Sequence, residues 1–196
     1  YEILIGLVGS EMCIRDRGYN TIGMHPYYGS GWARNKAYPL MGFDKFLDID
    51  SFDDATTKYL RRYVSDESSF NKVIDLYNQN KKQSDNPLFL FNVTIQNHCG
   101  YDTVYDNFPE NVDFQFDSLY PYTKQYLSLI QESDKQIKNL VDYFSKVDEP
   151  TIIVLFGDHM PYIENSFYNH LTRGSSKTTS VSYTHLRAHE TDQYLV

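Results

Sequence analysis

Residues 151–159 read Thr-Ile-Ile-Val-Leu-Phe-Gly-Asp-His, an apolar run that ends in a glycine, a carboxylate and an imidazole. The run has the length of a strand, and apolar character on both faces is typical of a strand that helices cover on both sides. Residues 87–95, Pro-Leu-Phe-Leu-Phe-Asn-Val-Thr-Ile, have the same character, which predicts a central strand of a sheet. Two such strands favour an α/β fold.

The clearest helix of the chain lies between these two runs. In residues 122–144, apolar side chains recur at helical spacing and would form a stripe along one face of a helix. Strand, helix and strand in this order predict a parallel pair with a right-handed crossover. Four further elements are expected, namely a strand at 19–24, a short helix at 34–38 that ends before Pro39, a strand at 42–47 and a helix over 69–77.

Polar side chains follow the predicted strands at their carboxyl ends. His25 follows the first strand, His98 follows the second, and Asp158 and His159 follow the last. In open α/β sheets, ligands bind just beyond these ends. A carboxylate beside an imidazole suits a divalent cation of the Mn or Zn kind, and Gly157 allows the sharp turn that this requires. A turn in which Asp158 only caps the next segment is the alternative.

The overall charge excludes one class of function. The chain has 26 acidic and 18 basic residues, a net charge of −8, and no cluster of Lys and Arg. Nucleic-acid binding depends on a basic patch, so we expect no nucleic-acid partner. No apolar run reaches the length that spans a bilayer.

The two ends of the chain are related through their DNA. Residues 8–16, Val-Gly-Ser-Glu-Met-Cys-Ile-Arg-Asp, can be encoded by DNA whose reverse complement encodes Val-Ser-Tyr-Thr-His-Leu-Arg-Ala-His, which is the sequence of residues 181–189. That DNA resembles a transposon-type sequencing adaptor. We therefore expect residues 1–17 and 180–196 to be translated adaptor sequence, with genuine protein over residues 18–179.

Several motifs together resemble a known family. They are residues 25–34, His-Pro-Tyr-Tyr-Gly-Ser-Gly-Trp-Ala-Arg, residues 41–46, Met-Gly-Phe-Asp-Lys-Phe, residues 92–98, Asn-Val-Thr-Ile-Gln-Asn-His, and Gly-Asp-His at 157–159. The combination resembles the lipoteichoic acid synthase branch of the alkaline phosphatase/sulfatase superfamily, over nearly all of residues 18–167. The resemblance implies a partial sulfatase-like catalytic domain, a three-layer α/β/α sandwich truncated at both ends.

The resemblance also implies roles for residues of the site. Asp158 and His159 match metal ligands, and the metal is expected to be Mn²⁺, with Mg²⁺ and Zn²⁺ as alternatives. His98 matches a catalytic histidine that contacts the substrate phosphate, where it can donate a hydrogen bond to developing charge.

Three further residues match the family's substrate-binding residues. Trp32 and Arg34 match a Trp-x-Arg pair that holds glycerol phosphate, and His25 matches a histidine at the rim of the same site. A guanidinium offers a planar fork of donors to phosphate oxygens. An indole wall excludes water, which a transferase needs in order to avoid hydrolysis. The alternatives are a core role for Trp32, a solvated helix start for Arg34, a hydrogen-bonded loop position for His98 and no site role for His25.

The implied activity is a metal-dependent transfer of glycerol phosphate from a phosphatidylglycerol-type lipid to a glycerol phosphate polymer or a glycan. It implies the outer face of a bacterial cytoplasmic membrane, with the membrane anchor outside this chain. Some family members carry an acidic residue at the position of Tyr27. The family's nucleophilic threonine and a metal-binding glutamate lie upstream of Gly18, so the chain alone is expected to be inactive. The alternatives are a sulfatase or phosphodiesterase of the same superfamily and a non-catalytic extracellular binding domain.

Overall fold

The computed structural model describes residues 14–172 and 183–187. The chain divides into two compact units, residues 1–96 and residues 97–196. The first unit contains β1 (Asn20–Met24), α1 (Arg34–Met41), β2 (Lys45–Leu47), β3 (Tyr59–Leu60), β4 (Tyr63–Val64), α2 (Asp66–Gln83) and β5 (Leu88–Asn92). The second contains α3 (Pro121–Phe144), β6 (Ile152–Phe156), α4 (Asn165–Thr172) and β7 (Tyr183–Arg187). Within the described ranges, no helix has both the length and the apolar character needed to cross a membrane.

The sheet of the first unit is parallel and has the order β2-β1-β5. The carboxyl ends of its strands therefore meet at one edge. The pairing continues past β1, where the backbone N–H of His25 donates to the carbonyl of Leu47 at 2.9 Å and that of Val93 donates to Met24 at 2.9 Å. The predicted strand at 19–24 is confirmed, and it delivers His25 to this edge.

Each face of this sheet is covered by a helix because the side chains of its strands alternate. Ile22 and Met24 of β1 pack in a core with Leu76 of α2. Gly23 points to the opposite face, towards the ring of Tyr38 on α1. β5 divides in the same way, with Leu88 and Leu90 on the α2 face and Phe89 and Phe91 on the α1 face. The first unit thus has the α/β/α layers that the sequence implies.

Helix boundaries differ from the sequence predictions. α2 begins at Asp66, before the predicted residue 69, because the Ser65 side chain accepts a hydrogen bond from the backbone N–H of Ser68 and caps the helix. The prediction that the first helix ends before Pro39 is wrong. α1 continues through Pro39, which costs the helix one backbone hydrogen bond, and stops at Gly42, whose φ of 96° is left-handed.

The strand pairing predicted across the long helix is also wrong. Among the described residues, β5 lies at an edge of the parallel sheet, whereas β6 pairs with β7 in an antiparallel ladder. Only about two-thirds of consecutive strands are neighbours, so the order along the chain does not fix pairing. β7 lies within residues 180–196. Any non-proline segment has backbone donors and acceptors, so a ladder can form whatever the origin of the sequence. The adaptor origin of residues 180–196 therefore stays a prediction.

The helix α3 extends over nearly the predicted range, and a distant carboxylate caps its start. Glu164 accepts hydrogen bonds from the backbone N–H groups of Tyr122 at 2.8 Å and Thr123 at 3.0 Å, and from the Thr123 hydroxyl at 2.7 Å. Burial by itself raises the pKa of Glu164, but these hydrogen bonds outweigh burial and lower it. The carboxylate therefore stabilises the first turn of α3 in its ionised form.

Candidate functional site

His25 is anchored where β1 and β5 end. Its side chain is buried, and its Nδ1 lies 2.7 Å from the carbonyl oxygen of Val93. A carbonyl only accepts hydrogen bonds, so Nδ1 carries the proton and donates it there. The ring centroid lies 5.7 Å from that of Trp32, in an edge-on arrangement. We call residues 25–34 the Trp32 turn. The buried imidazole of His25 begins this turn and packs against the Trp32 ring.

The backbone of this turn is strained at two residues that are not glycine. Trp32 has φ 51° and Ala33 has φ 53°. The left-handed region costs such residues roughly 1–2 kcal/mol each. Trp32 is also 58% exposed, so the strain is not offset by burial of its side chain in a core. Exposure on this scale does not fit a core role for Trp32, and backbone strain of this kind clusters at binding sites.

Arg34 is oriented by a tyrosine one helical turn along α1. Its Nη1 donates to the hydroxyl oxygen of Tyr38 at 3.0 Å, and its guanidinium carbon lies 5.5 Å from the ring centroid of Trp32. Burial raises the pKa of Tyr38, and the nearby Arg34 charge only partly offsets this. Tyr38 therefore stays neutral and offers its oxygen to Arg34. The spacing of four residues was a signal in the sequence for this pair, although Tyr38 was not predicted as a site residue.

One donor of Arg34 lacks an acceptor. Its Nε is buried and has no hydrogen-bond partner in the part of the chain that the structure describes. A buried donor without a partner is costly, and such groups are rare in folded proteins. An anion beside Trp32 would satisfy it, and phosphate oxygens suit the planar guanidinium fork.

Further aromatic rings pack near Trp32, the indole that lies against this guanidinium. Tyr27 contacts the rings of Tyr28 at 5.2 Å, Trp32 at 5.9 Å and Tyr63 at 6.0 Å. Tyr28 is 62% exposed. In the sequence, Tyr27 stands out only as a departure from the family, and Tyr28 has no predicted role. The two adjacent tyrosines were the available signal.

Asp158 and His159 follow β6 in the second unit. The backbone N–H of His159 donates to Oδ1 of Asp158 at 2.9 Å, and Nδ1 of His159 lies 2.9 Å from the carbonyl oxygen of Met160. If Nδ1 donates to that carbonyl, Nε2 keeps a lone pair, and this atom lies 3.5 Å from Oδ2 of Asp158. Two adjacent donors with an oriented imidazole fit part of a divalent cation site. No group of three such side chains occurs among the described residues, so the pair supplies only part of a ligand set.

His98 lies on a loop that is fastened to α3. The side-chain amide of Asn97 donates to the hydroxyl of Ser133 at 2.8 Å, and the hydroxyl of Tyr101 donates to the Asn97 carbonyl at 2.6 Å. The Tyr101 ring packs edge-on against Tyr126 at 5.6 Å. These contacts hold the backbone on both sides of His98.

The charge of the candidate metal ligand Asp158 also affects the pKa of Tyr126. Burial is the larger cause that raises the pKa of Tyr126, and the negative charge of Asp158 raises it further.

The predicted site residues lie in both units of the chain. The structure places His25, Trp32 and Arg34 on one turn of the first unit, and His98, Asp158 and His159 in the second unit.

Comparison with known proteins gives one family. A family model described as Sulfatase matches residues 13–193. The capsular polysaccharide biosynthesis protein RkpI of Rhizobium meliloti (strain 1021) is 30% identical over 152 residues, which cover 78% of this chain and 26% of that protein. Lipoteichoic acid synthase 1 of Bacillus subtilis (strain 168) is 25% identical over 161 residues, which cover 76% of this chain and 22% of that protein.

A solved structure shares the fold. The phosphoglycerol transferase GacH of Streptococcus pyogenes, in complex with sn-glycerol-1-phosphate, matches with a TM-score of 0.64 at 22% sequence identity, covering 87% of this chain and 44% of that chain. This likeness confirms the predicted α/β class with a parallel sheet. The chain spans about a quarter of the length of the curated relatives it matches.

Proposed function

The chain belongs to the sulfatase family, and from that membership we propose that the whole protein is a phosphoglycerol transferase. It takes glycerol phosphate from a phosphatidylglycerol-type lipid and passes it to a glycerol phosphate polymer or a glycan of the cell envelope. The observation that carries the proposal is the unpaired, buried Nε of Arg34 beside the strained and exposed Trp32. Relatives named lipoteichoic acid synthases support it.

The Trp32 turn binds the glycerol phosphate group in this proposal. Arg34 directs Nε at the phosphate while Tyr38 holds Nη1, so the guanidinium loses little freedom when the ligand arrives. Trp32 covers the glycerol carbons and keeps water from the phosphorus atom. His25 packs edge-on against the indole of Trp32 and helps to hold it in position.

The second unit supplies groups for the chemical step. Asp158 and His159 hold a divalent cation, Mn²⁺ with Mg²⁺ or Zn²⁺ as alternatives, together with ligands from elsewhere in the whole protein. A cation held by Asp158 and His159 would supply polarisation of a phosphoryl oxygen. His98 donates a hydrogen bond to a phosphoryl oxygen as negative charge develops. We place the whole enzyme at the outer face of a bacterial membrane, and we expect residues 1–196 alone to bind glycerol phosphate without turnover.

Binding of the substrate group is tested with the only tryptophan of the chain. Excitation of Trp32 reports on the site directly, and the probe is sn-glycerol 1-phosphate. We expect a saturable change in emission, and about tenfold weaker binding in Arg34→Gln because a charged hydrogen bond is lost. Arg62→Gln is the matched control, since Arg62 is exposed and stacks 5.0 Å over Tyr63 in the same unit. No response in the unaltered chain, or equal weakening by both substitutions, would reject the proposal.

A further inference from the structure

A carboxylate from outside the Trp32 turn holds the backbone of that turn. Oδ2 of Asp48 accepts a hydrogen bond from the backbone N–H of Gly29 at 3.2 Å, across 19 residues of sequence. We propose that Asp48 is a positioning residue for phosphate binding, because its hold on Gly29 fixes where Trp32 and Arg34 lie. The inference rests on the proposed function and adds a residue that acts on its substrate site through the backbone.

The parallel sheet brings Asp48 to the turn. β1 and β2 are neighbouring parallel strands, so the residues that follow them share one edge of the sheet. The Trp32 turn follows β1, and Asp48 comes directly after Leu47, the last residue of β2. The backbone adds a second contact, since the N–H of Ile49 donates to the carbonyl of Tyr27 at 3.1 Å. The loop after β2 therefore supports the turn at two points.

The carboxylate of Asp48 is itself held in one position. Its Oδ1 accepts from the backbone N–H of Asp50 at 3.2 Å and caps the short 3-10 helix Ile49–Ser51. A side chain fixed by a second hydrogen bond can orient its partner precisely enough for binding. Gly29 is held on its other side as well, because its carbonyl accepts from the backbone N–H of Asn35 at 2.8 Å. Gly29 thus links Asp48 to the first turn of α1.

The fit at Gly29 and the strain that follows it both depend on this contact. A Cβ atom on Gly29 would lie 2.5 Å from Oδ2 of Asp48, so glycine is what lets the backbone approach the carboxylate. The left-handed φ angles of Trp32 and Ala33 persist only when surrounding contacts over-determine the backbone. Loss of the Asp48 contact would let the turn relax and would move the indole from the position that binds the ligand.

The charge of Asp48 separates positioning from simple electrostatics. A carboxylate near a phosphate site repels the ligand, and the chain already has a net charge of −8. Asp48→Asn removes one negative charge and keeps the shape of the side chain. Its single acceptor oxygen cannot serve both backbone donors, so its NH2 group must face one of them. Binding of phosphate should strengthen if only charge matters, and should weaken if Asp48 positions the turn.

The experiment is a titration of Trp32 fluorescence with sn-glycerol 1-phosphate. We expect about fivefold weaker binding in Asp48→Asn, since a charge-assisted hydrogen bond to the turn is lost. Asp50→Asn is the matched control, because it removes the same charge from an exposed residue and keeps the backbone N–H that Asp48 accepts. Its affinity should equal or slightly exceed that of the unaltered chain.

A second readout follows the indole itself. Trp32 is the only tryptophan, so its fluorescence anisotropy decay reports its local motion. Asp48→Asn should show faster local motion than Asp50→Asn, with far-ultraviolet circular dichroism unchanged. If Gly29 and Asp48 act through one contact, Gly29→Ala combined with Asp48→Ala should cost less affinity than the two single changes added together.

The outcomes separate this inference from the proposed function. Equal or tighter binding in Asp48→Asn, or an unchanged anisotropy decay, overturns positioning by Asp48. Additive losses from Gly29→Ala and Asp48→Ala overturn it as well. A chain that does not respond to sn-glycerol 1-phosphate rejects the proposed function, and the anisotropy decay then decides alone whether Asp48 holds the turn.

Discussion

Substitution of Gly23 by alanine should destabilise the first unit, because β1 and α1 meet there without space for a side chain. A Cβ atom on Gly23 would lie 2.1 Å from Cδ1 and 2.5 Å from Cε1 of Tyr38. Ordinary contact begins at 3.4 Å, so the ring would have to retreat by 3.4 − 2.1 = 1.3 Å. Tyr38 is 2% exposed and packs 4.6 Å from Phe46 and 5.3 Å from Phe43, which blocks this movement.

Two opposing effects determine how much Gly23→Ala changes the free energy of unfolding. Overpacking of a core costs about 1–3 kcal/mol, and a clash with a ring that cannot move belongs at the upper end of that range. Alanine offsets roughly 0.5–1 kcal/mol of this, because glycine is less favourable in a strand. Gly23→Ala should therefore lower the free energy of unfolding by about 2 kcal/mol. Since Tyr38 orients Arg34, binding of sn-glycerol 1-phosphate should weaken as well.

Urea unfolding tests this, followed by Trp32 fluorescence for the first unit and by circular dichroism for the whole chain. Gly157→Ala is the control, since a Cβ atom there would meet nothing within 4 Å. It should change the free energy of unfolding by less than about 0.5 kcal/mol. If the cause is the Tyr38 ring, Gly23→Ala combined with Tyr38→Leu should cost less than the sum of the two single changes. Additive costs, or a Gly23→Ala chain as stable as the unaltered one, would refute the packing argument.

Three further predictions concern polar groups. Tyr38→Phe removes the oxygen that accepts from Arg34, so we expect affinity for sn-glycerol 1-phosphate to fall about threefold to tenfold in the fluorescence titration, with circular dichroism unchanged. Glu164→Gln should cost about 1 kcal/mol of unfolding free energy at pH 7. The pKa of Glu164 is lowered by folding, so its stabilisation is present above the ordinary carboxyl pKa of 4.5 and is lost as pH falls through the folded value. The two chains should therefore converge in stability as pH falls below the ordinary carboxyl pKa of 4.5, and a constant difference would contradict this. Asp158→Asn should weaken Mn²⁺ binding, measured by electron paramagnetic resonance, about tenfold, whereas Asn at the exposed Asp148 should leave it unchanged.

Local patterns in the sequence were sufficient to predict several elements. The apolar runs at β1, β5 and β6 and the stripe along α3 each lie within a few residues, and the structure has elements at all four places. The positions of residues that follow strands were predictable for the same reason, whereas their roles in a site remain predictions. His25 follows β1 directly and lies at the predicted edge of the parallel sheet.

Contacts between distant residues were not predictable in this way. The cap of α3 joins Glu164 to Thr123 across 41 residues, and no local pattern marks it. The pairing of β6 with β7 depends on which strand is free to form a ladder rather than on the composition of β6. The fit of Gly23 against Tyr38 depends on the height of α1 above the sheet, which the sequence does not encode locally.

The strain of the Trp32 turn leads to a prediction in which stability and binding change in opposite directions. Ala33 has φ 53° and is exposed, so Ala33→Gly removes a cost of roughly 1–2 kcal/mol while it adds backbone entropy to the unfolded chain. We expect a net gain of about 0.5–1 kcal/mol in unfolding free energy. The more flexible turn should hold Trp32 less firmly and should bind sn-glycerol 1-phosphate several-fold more weakly in the fluorescence titration. If Ala33→Gly left binding unchanged, the strain would have no part in positioning the indole. A loss of stability in the same variant would show instead that the left-handed backbone at Ala33 carries no strain.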